Sequence, residues 1–232
     1  MNPRNIDSQL FTKHGLYLLF DDGRSLDLTE NAIERLTQEF WQDTEKIPTT
    51  IREAADFRLC SICPEKGSEG FCYALRPVIP FLEDIDRYLS YDKVTAVYVD
   101  EDAVVHTAYT TMQDALQYLS ILSMTHYCRT GRKYRKYYVG VVPVSGTMQM
   151  VERMYLNMYW LHRGDPEQIQ TIIGRLRDEI TETSAAQVKR LTLICKNDAF
   201  VNAFYNTQVA TEILSTDMEE MLKEKFSRFE SE

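Results

Sequence analysis

Two pairs of short hydrophobic segments lie in the first half of the chain, and a polar turn divides each pair. Leu16–Phe20 and Ser25–Leu28 are separated by a turn that contains Asp22-Gly23, and this pattern predicts a β-hairpin. Lys93–Asp100 and Ala103–Tyr109 are separated by Glu101-Asp102 and predict a second hairpin. The carboxylates in both turns are explained by the preference of Asp for turn positions.

A helical repeat follows the first hairpin, and Thr29 or Asn31 can cap it. Its apolar face consists of Ile33, Leu36, Phe40 and Trp41. Ile51–Phe57 also admits a strand, although Glu53-Ala54-Ala55 weakens that interpretation. Tyr73–Leu89 carries an apolar stripe and predicts a helix, whose start Pro77 and Pro80 would delay or kink.

The second half of the chain has mostly helical spacing. Thr111 and Asp114 form a capping-box pattern at the start of a helix that ends near His126-Tyr127-Cys128. The remaining predicted helices cover about 147–162, a segment starting at Asp165-Pro166, 185–210 and 217–229. For Lys189–Lys196 a strand is the alternative.

The predicted fold class is therefore α+β, with a small antiparallel sheet from two hairpins packed against a largely helical C-terminal half. We expect one domain over residues 1–232, with residues 1–110 forming the sheet-containing half and residues 111–232 the helical half.

Composition and charge narrow the classes of function. The chain of 232 residues has 44% hydrophobic and 26% charged residues, as in ordinary globular proteins, and a net charge of −9. An acidic surface disfavours general binding to nucleic acid or anionic membranes. No stretch approaches the ~20 apolar residues of a membrane helix, and the first residues lack an apolar signal core, so we expect a cytoplasmic protein.

One basic cluster, Arg129–Tyr138, interleaves arginine and lysine with tyrosine. It admits a nucleic-acid contact in which the tyrosines stack on bases. A solvated helix face that balances the acidic body is the favoured interpretation.

The cysteines carry the clearest chemistry in the sequence. Cys60 and Cys63 have the C-x2-C spacing that turns two thiolates toward one ion, and Cys72 follows at the far end of a glycine-containing loop. In a reducing compartment such a group favours metal binding over disulfides. Cys128, where an apolar helix ends, is the predicted fourth ligand, and His126 is the alternative.

Four thiolates suit Zn²⁺ or a [4Fe–4S] cluster by ligand type, and zinc is favoured because it is the more frequent ion of C-x2-C loops with a distant fourth ligand. A zinc ion with four protein ligands has no open position, so its predicted role is structural, in a protein that binds or regulates an unidentified protein partner. An iron–sulfur redox or sensor protein is the alternative. Enzymatic activity is less expected, because the common catalytic motifs are absent from the sequence.

A polar face forms the third candidate site. Asn197, Asp198, Asn202 and Asn206 fall on nearly one side of a predicted helix. A ligand pocket is one interpretation, and a hydrogen-bonded packing network beside the cysteines is the favoured one.

The chain also resembles an uncharacterised bacterial family of unknown function. The resemblance rests on Phe57-Arg-Leu-Cys60-Ser-Ile-Cys63-Pro64, Cys72-Tyr-Ala-Leu, Ser90-Tyr91-Asp92-Lys-Val94 and a cysteine after an amphipathic helix. Members of that family pair an N-terminal hairpin with a three-cysteine loop and a later fourth cysteine. The resemblance implies no particular activity.

Overall fold

The sheet has four antiparallel strands in the computed structural model, which describes residues 11–43, 45, 47–56, 60–64, 72–216, 218 and 227. The strands are β1 (Gly15–Leu19), β2 (Ser25–Thr29), β3 (Lys93–Val99) and β4 (Val105–Thr111). Their order is β2-β1-β3-β4, so the two predicted hairpins are confirmed and joined by pairing of β1 with β3.

Residues within the turns stabilise both hairpins. Gly23 has a φ of 85°, which glycine adopts without steric cost, and its N–H donates to the Phe20 carbonyl over 3.0 Å. In the second turn the Asp100 carboxylate accepts from the N–H groups of Asp102 and Val104. Turn formation therefore accounts for these acidic residues, as predicted.

One face of the sheet is covered by helix α1 (Glu30–Trp41) and helix α4 (Met112–Leu122). The Thr29 hydroxyl accepts from the Ala32 N–H and caps α1, and the Thr111 hydroxyl caps α4 in the same way. Leu16 and Leu18 of β1 join one continuous hydrophobic core with both helices. The predicted α+β class is thus confirmed.

The segment between the hairpins differs from the prediction in two places. Thr49–Asp56 forms helix α2, so the strand alternative for 51–57 is wrong, because helix-forming alanines at 54 and 55 bury against the core. The helix predicted over 73–89 is also wrong. It is broken into two 3₁₀ turns, Tyr73–Leu75 and Ile79–Phe81, and the short helix α3 (Leu82–Ile85), because proline removes hydrogen-bond donors.

Helix α4 does not stop at its last α-helical residue. It continues as a π-helical turn, Ser123–Tyr127, and the backbone becomes extended at Cys128. A 3₁₀ helix, Gly131–Tyr138, follows.

The C-terminal half is built from α5 (Thr147–Leu161), α6 (Pro166–Ile194) and α7 (Ala199–Leu214). The single helix predicted over 185–210 is wrong, since the chain breaks at 195–198, and so is the strand alternative for 189–196. The break is stabilised by the Asp86 carboxylate, which accepts from the N–H groups of Lys196 and Asn197 over 2.8 to 2.9 Å.

The predicted helix over 217–229 lies almost entirely outside the described residues. Among the helices that the structure describes, none combines the length and the apolar character needed to cross a membrane.

Candidate metal centre

Cys60 and Cys63 lie at the two ends of a tight turn. The Cys63 N–H donates to the Cys60 carbonyl over 3.0 Å, and the Cys60 side chain is buried. The turn is attached to the helical half at two points. Ser61 donates from its N–H and its hydroxyl to the Glu182 carboxylate, and the Thr130 hydroxyl donates to the Ile62 carbonyl over 3.4 Å.

Cys72 lies between α2 and the first 3₁₀ turn. Its N–H donates to the Ala55 carbonyl near the end of α2 over 3.2 Å. Its sulfur accepts from the Gln187 side-chain amide of α6 over 3.1 Å. Residues 65–71 of the predicted cysteine loop lie outside the described residues.

Cys128 ends the π-helical turn, where its N–H donates to the Ser123 carbonyl over 2.9 Å. Its sulfur accepts from the Gly131 N–H over 3.4 Å and from the Thr130 N–H. Backbone donors that converge on a sulfur stabilise its thiolate form, which is the form that binds metal.

The other three predicted ligands act electrostatically on Cys60. Burial and, after it, the neighbouring Cys63, Cys128 and Cys72 together raise the pKa of Cys60 to about 12, while the Arg190 guanidinium opposes them. Burial likewise raises the pKa of Cys128, against the effect of its two backbone donors. A bound cation would reverse this balance, since it stabilises thiolates.

The four thiols do not form a ready-made set of metal ligands. Across the part of the chain that the structure describes, no three Cys, His, Asp or Glu side chains form a closed ligand set. All four cysteines are also free of disulfides.

His126, the alternative fourth ligand, belongs to a different environment. Its Nδ1 lies 2.9 Å from the Thr125 hydroxyl oxygen, and burial lowers its pKa, with Arg135, Glu30 and His14 nearby. These groups lie on the sheet side of the π-helical turn. The geometry therefore favours Cys128 as the fourth member of the cluster.

The polar face of α7 anchors the fold at a distance from the cysteines. The Asp198 carboxylate accepts from the Ser90 N–H and hydroxyl, and Asn206 donates to Asp114 at the start of α4. The expected hydrogen-bonded network is present, but its partners are the segment before β3 and the start of α4. Its predicted place beside the cysteine site is wrong, because Cys128 lies at the opposite end of α4.

The basic cluster at 129–138 is only partly a solvated face. Tyr134, Tyr137 and Tyr138 are buried in the hydrophobic core. Lys133 forms a 2.6 Å ion pair with Glu179. Because buried tyrosines have no face to offer a base, stacking on nucleic acid is not available to them.

Sequence reasoning missed the contribution of α6. Gln187 and Arg190 are among its most buried residues, and Arg190 is 0% exposed. The available signal was a run of polar residues on the inner face of an otherwise amphipathic helix, Thr183, Ser184, Gln187 and Arg190. Buried polar side chains at helical spacing indicate a specific polar partner, and here that partner includes the cysteine cluster.

These features define an α+β protein in which four cysteines from three parts of the chain gather between α2, the end of α4 and α6. The chain belongs to DUF6901, a domain family of unknown function, whose family model matches residues 17–230. This confirms the expected membership of an uncharacterised family, while the bacterial origin and the family cysteine pattern stay predictions. No curated protein and no solved structure matches the chain.

Proposed function

We propose that this protein binds one Zn²⁺ through Cys60, Cys63, Cys72 and Cys128, and that the ion is structural. The observation that carries the proposal is the coupling of Cys60 to the three other thiols, together with the N–H donors directed at the sulfurs of Cys72 and Cys128. Four thiols, two of which accept hydrogen bonds at sulfur, match the ligand set of a structural zinc site.

The ion would join separate parts of the fold. Cys60 and Cys63 belong to the turn after α2, Cys72 precedes the first 3₁₀ turn, and Cys128 ends the π-helical turn. Four protein ligands leave no coordination position for a substrate, so the ion would contribute folding free energy. Its loss would leave the Cys60–Pro64 turn attached to the helical half only by hydrogen bonds such as those from Ser61 to Glu182 and from Thr130 to Ile62.

A [4Fe–4S] cluster is the second candidate, because hydrogen bonds to sulfur are also a means of tuning cluster potential and because Pro64 directly follows Cys63. In that case the protein would transfer electrons or sense redox conditions. Zinc and a cluster differ in colour, so a single purification distinguishes them.

The proposal includes a binding or regulatory role in the cytoplasm with a protein partner. Free cysteines support a reducing compartment. Trp160 on α5 is 81% exposed, which favours a partner because exposed tryptophan is enriched at the centres of protein interfaces.

The test is metal analysis of the chain after anaerobic purification. We expect one zinc ion per chain and no visible colour, and a clear loss of zinc in Cys60→Ser and Cys128→Ser. The matched control is Cys195→Ser, which should keep the full zinc content because Cys195 is not coupled to the other thiols. A brown protein that contains iron selects the second candidate. A metal-free chain whose thiols all react freely in the native state refutes both.

A further inference from the structure

A cavity of about 140 Å³ lies on the sheet side of the π-helical turn. One wall is a single helical face, formed by Tyr118, Ile121, Leu122, Thr125 and His126, and the facing wall includes Tyr98 of β3 and Glu30 of α1. The volume is close to that of an engineered protein cavity that binds benzene, which is about 150 Å³. The cavity therefore accepts a ligand of about that size.

Tyr118 contributes an unusual polar group to this cavity. Its side chain is 5% exposed, and its hydroxyl has no hydrogen-bond partner among the described residues. Leaving such a group unpaired costs free energy, so native proteins rarely retain one without a partner. Burial is the main cause that raises the pKa of this hydroxyl, and Glu30, which also lines the cavity, raises it further.

The charges around the cavity are predominantly negative. Its lining includes four carboxylates, from Glu30, Asp100, Glu101 and Asp102, and one permanent cation, Arg135. His14 lies between two of the lining groups, with Nε2 3.2 Å from the Tyr98 hydroxyl and Nδ1 3.6 Å from the Glu30 carboxylate. This excess of negative charge favours a positively charged ligand.

The aromatic rings add a second preference for a cation. Tyr98 and Tyr118 lie with ring centroids 5.7 Å apart, and both line the cavity. The faces of aromatic rings attract organic ammonium groups, and a hydroxyl oxygen accepts a hydrogen bond from them. The aromatic rings and the apolar helical wall suit an organic cation better than a bare metal ion, which needs several oxygen, nitrogen or sulfur ligands.

We propose that this cavity binds a small organic cation, whose ammonium group contacts Glu30 and the Tyr118 hydroxyl while its apolar part lies against the helical wall. The site shares no ligand residue with the cysteine cluster. The proposal therefore stands independently of which metal the cysteines hold.

The experiment is a titration of the purified full-length chain with three probes of equal size and different charge. Benzylammonium should bind with millimolar or better affinity, and the affinity should fall as salt is added, because salt screens charge. Benzyl alcohol should bind about tenfold more weakly, and benzoate should not bind. Heteronuclear NMR or calorimetry measures all three.

Two variants test the named contacts. Tyr118→Phe should weaken benzylammonium about tenfold while leaving the fold at least as stable, since it removes a buried unpaired hydroxyl. Glu30→Gln should weaken it about fivefold, as expected for a partly exposed charge pair. The matched controls are Tyr109→Phe, whose ring is 53% exposed on β4, and Glu34→Gln, one turn further along α1.

Three outcomes would overturn the proposal. The first is that benzylammonium does not bind, which would leave water as the partner of the Tyr118 hydroxyl. The second is that benzoate binds as tightly as benzylammonium. The third is that Tyr118→Phe binds benzylammonium with unchanged affinity.

Discussion

Gly131 offers the most direct test of how the turn at Cys128 is built. A Cβ added to this residue would lie 2.1 Å from the Met124 carbonyl oxygen and 3.1 Å from its carbon. Both atoms belong to the backbone of the π-helical turn, so no side chain can rotate away to make room. Gly131→Ala must therefore displace the turn that carries Cys128.

The size of the effect follows from two contributions. Overpacking against a rigid neighbour costs about 1–3 kcal/mol. Displacement also weakens the hydrogen bond from the Gly131 N–H to the Cys128 sulfur, which contributes about 1 kcal/mol. We expect Gly131→Ala to lower the free energy of unfolding by about 2–4 kcal/mol.

The chain contains a matched control of opposite sign. Gly174 lies within α6, and an added Cβ would meet nothing within 4 Å. Gly174→Ala should therefore raise the free energy of unfolding by about 0.5–1 kcal/mol, because alanine loses less backbone entropy in a helix. Both variants make the same chemical change, so the difference between them reports the local geometry alone.

The assay is urea denaturation of the reduced, metal-free chain, analysed by linear extrapolation. The same two variants are then titrated with zinc against a competing chelator, where Gly131→Ala should bind more weakly than Gly174→Ala. Equal stability of the two variants would refute the close approach of Gly131 to Met124 and, with it, the described position of Cys128.

Three further predictions concern single side chains. Burial raises the pKa of Cys195 to about 12, above the value of 9.0 for a free thiol. Its contribution to the free energy of unfolding is therefore complete below pH 9 and is lost as pH rises toward 12. Denaturation at a series of alkaline pH values should show that stability depends less on pH in Cys195→Ala. Burial raises the pKa of Asp198, but hydrogen bonds from Ser90 outweigh it and lower the pKa below 3.8. The contribution of Asp198 to the free energy of unfolding is therefore complete above that pH and is lost at lower pH. Asp198→Asn should lower the free energy of unfolding by about 1 kcal/mol near neutral pH and should reduce the dependence of stability on acid pH. Gln187→Leu removes the amide that donates to Cys72 and should weaken zinc severalfold in chelator competition while hardly changing metal-free stability, and an unchanged zinc affinity would contradict a role for that amide.

The elements with local signals were predictable from the sequence. The Asp-Gly turn, the β3–β4 hairpin and the Thr111–Asp114 capping pair each depend on residues that are close together in the chain, and each is present in the structure. The α2 segment was ambiguous because a short apolar run with two alanines fits either a strand or a helix until its packing partner is known.

The errors arose where distant residues decide the local structure. The break between α6 and α7 depends on Asp86, which is more than 100 positions away in the sequence. The donor to the Cys72 sulfur is equally remote, since Gln187 reaches Cys72 across 115 positions. The periodicity of apolar residues does not reveal such contacts, because it compares only positions that are close in the sequence.

The π-helical turn at Ser123–Tyr127 stands between the two sites described above. Thr125 and His126 line the sheet-side cavity, and Cys128 begins where the turn ends. If both proposals hold, the turn connects the proposed metal site directly to the wall of the proposed ligand cavity. Occupancy of either proposed site would then alter the affinity of the other by the same factor, because thermodynamic linkage is reciprocal. The affinity of the cavity for an organic cation would therefore depend on whether zinc is bound at the cysteines.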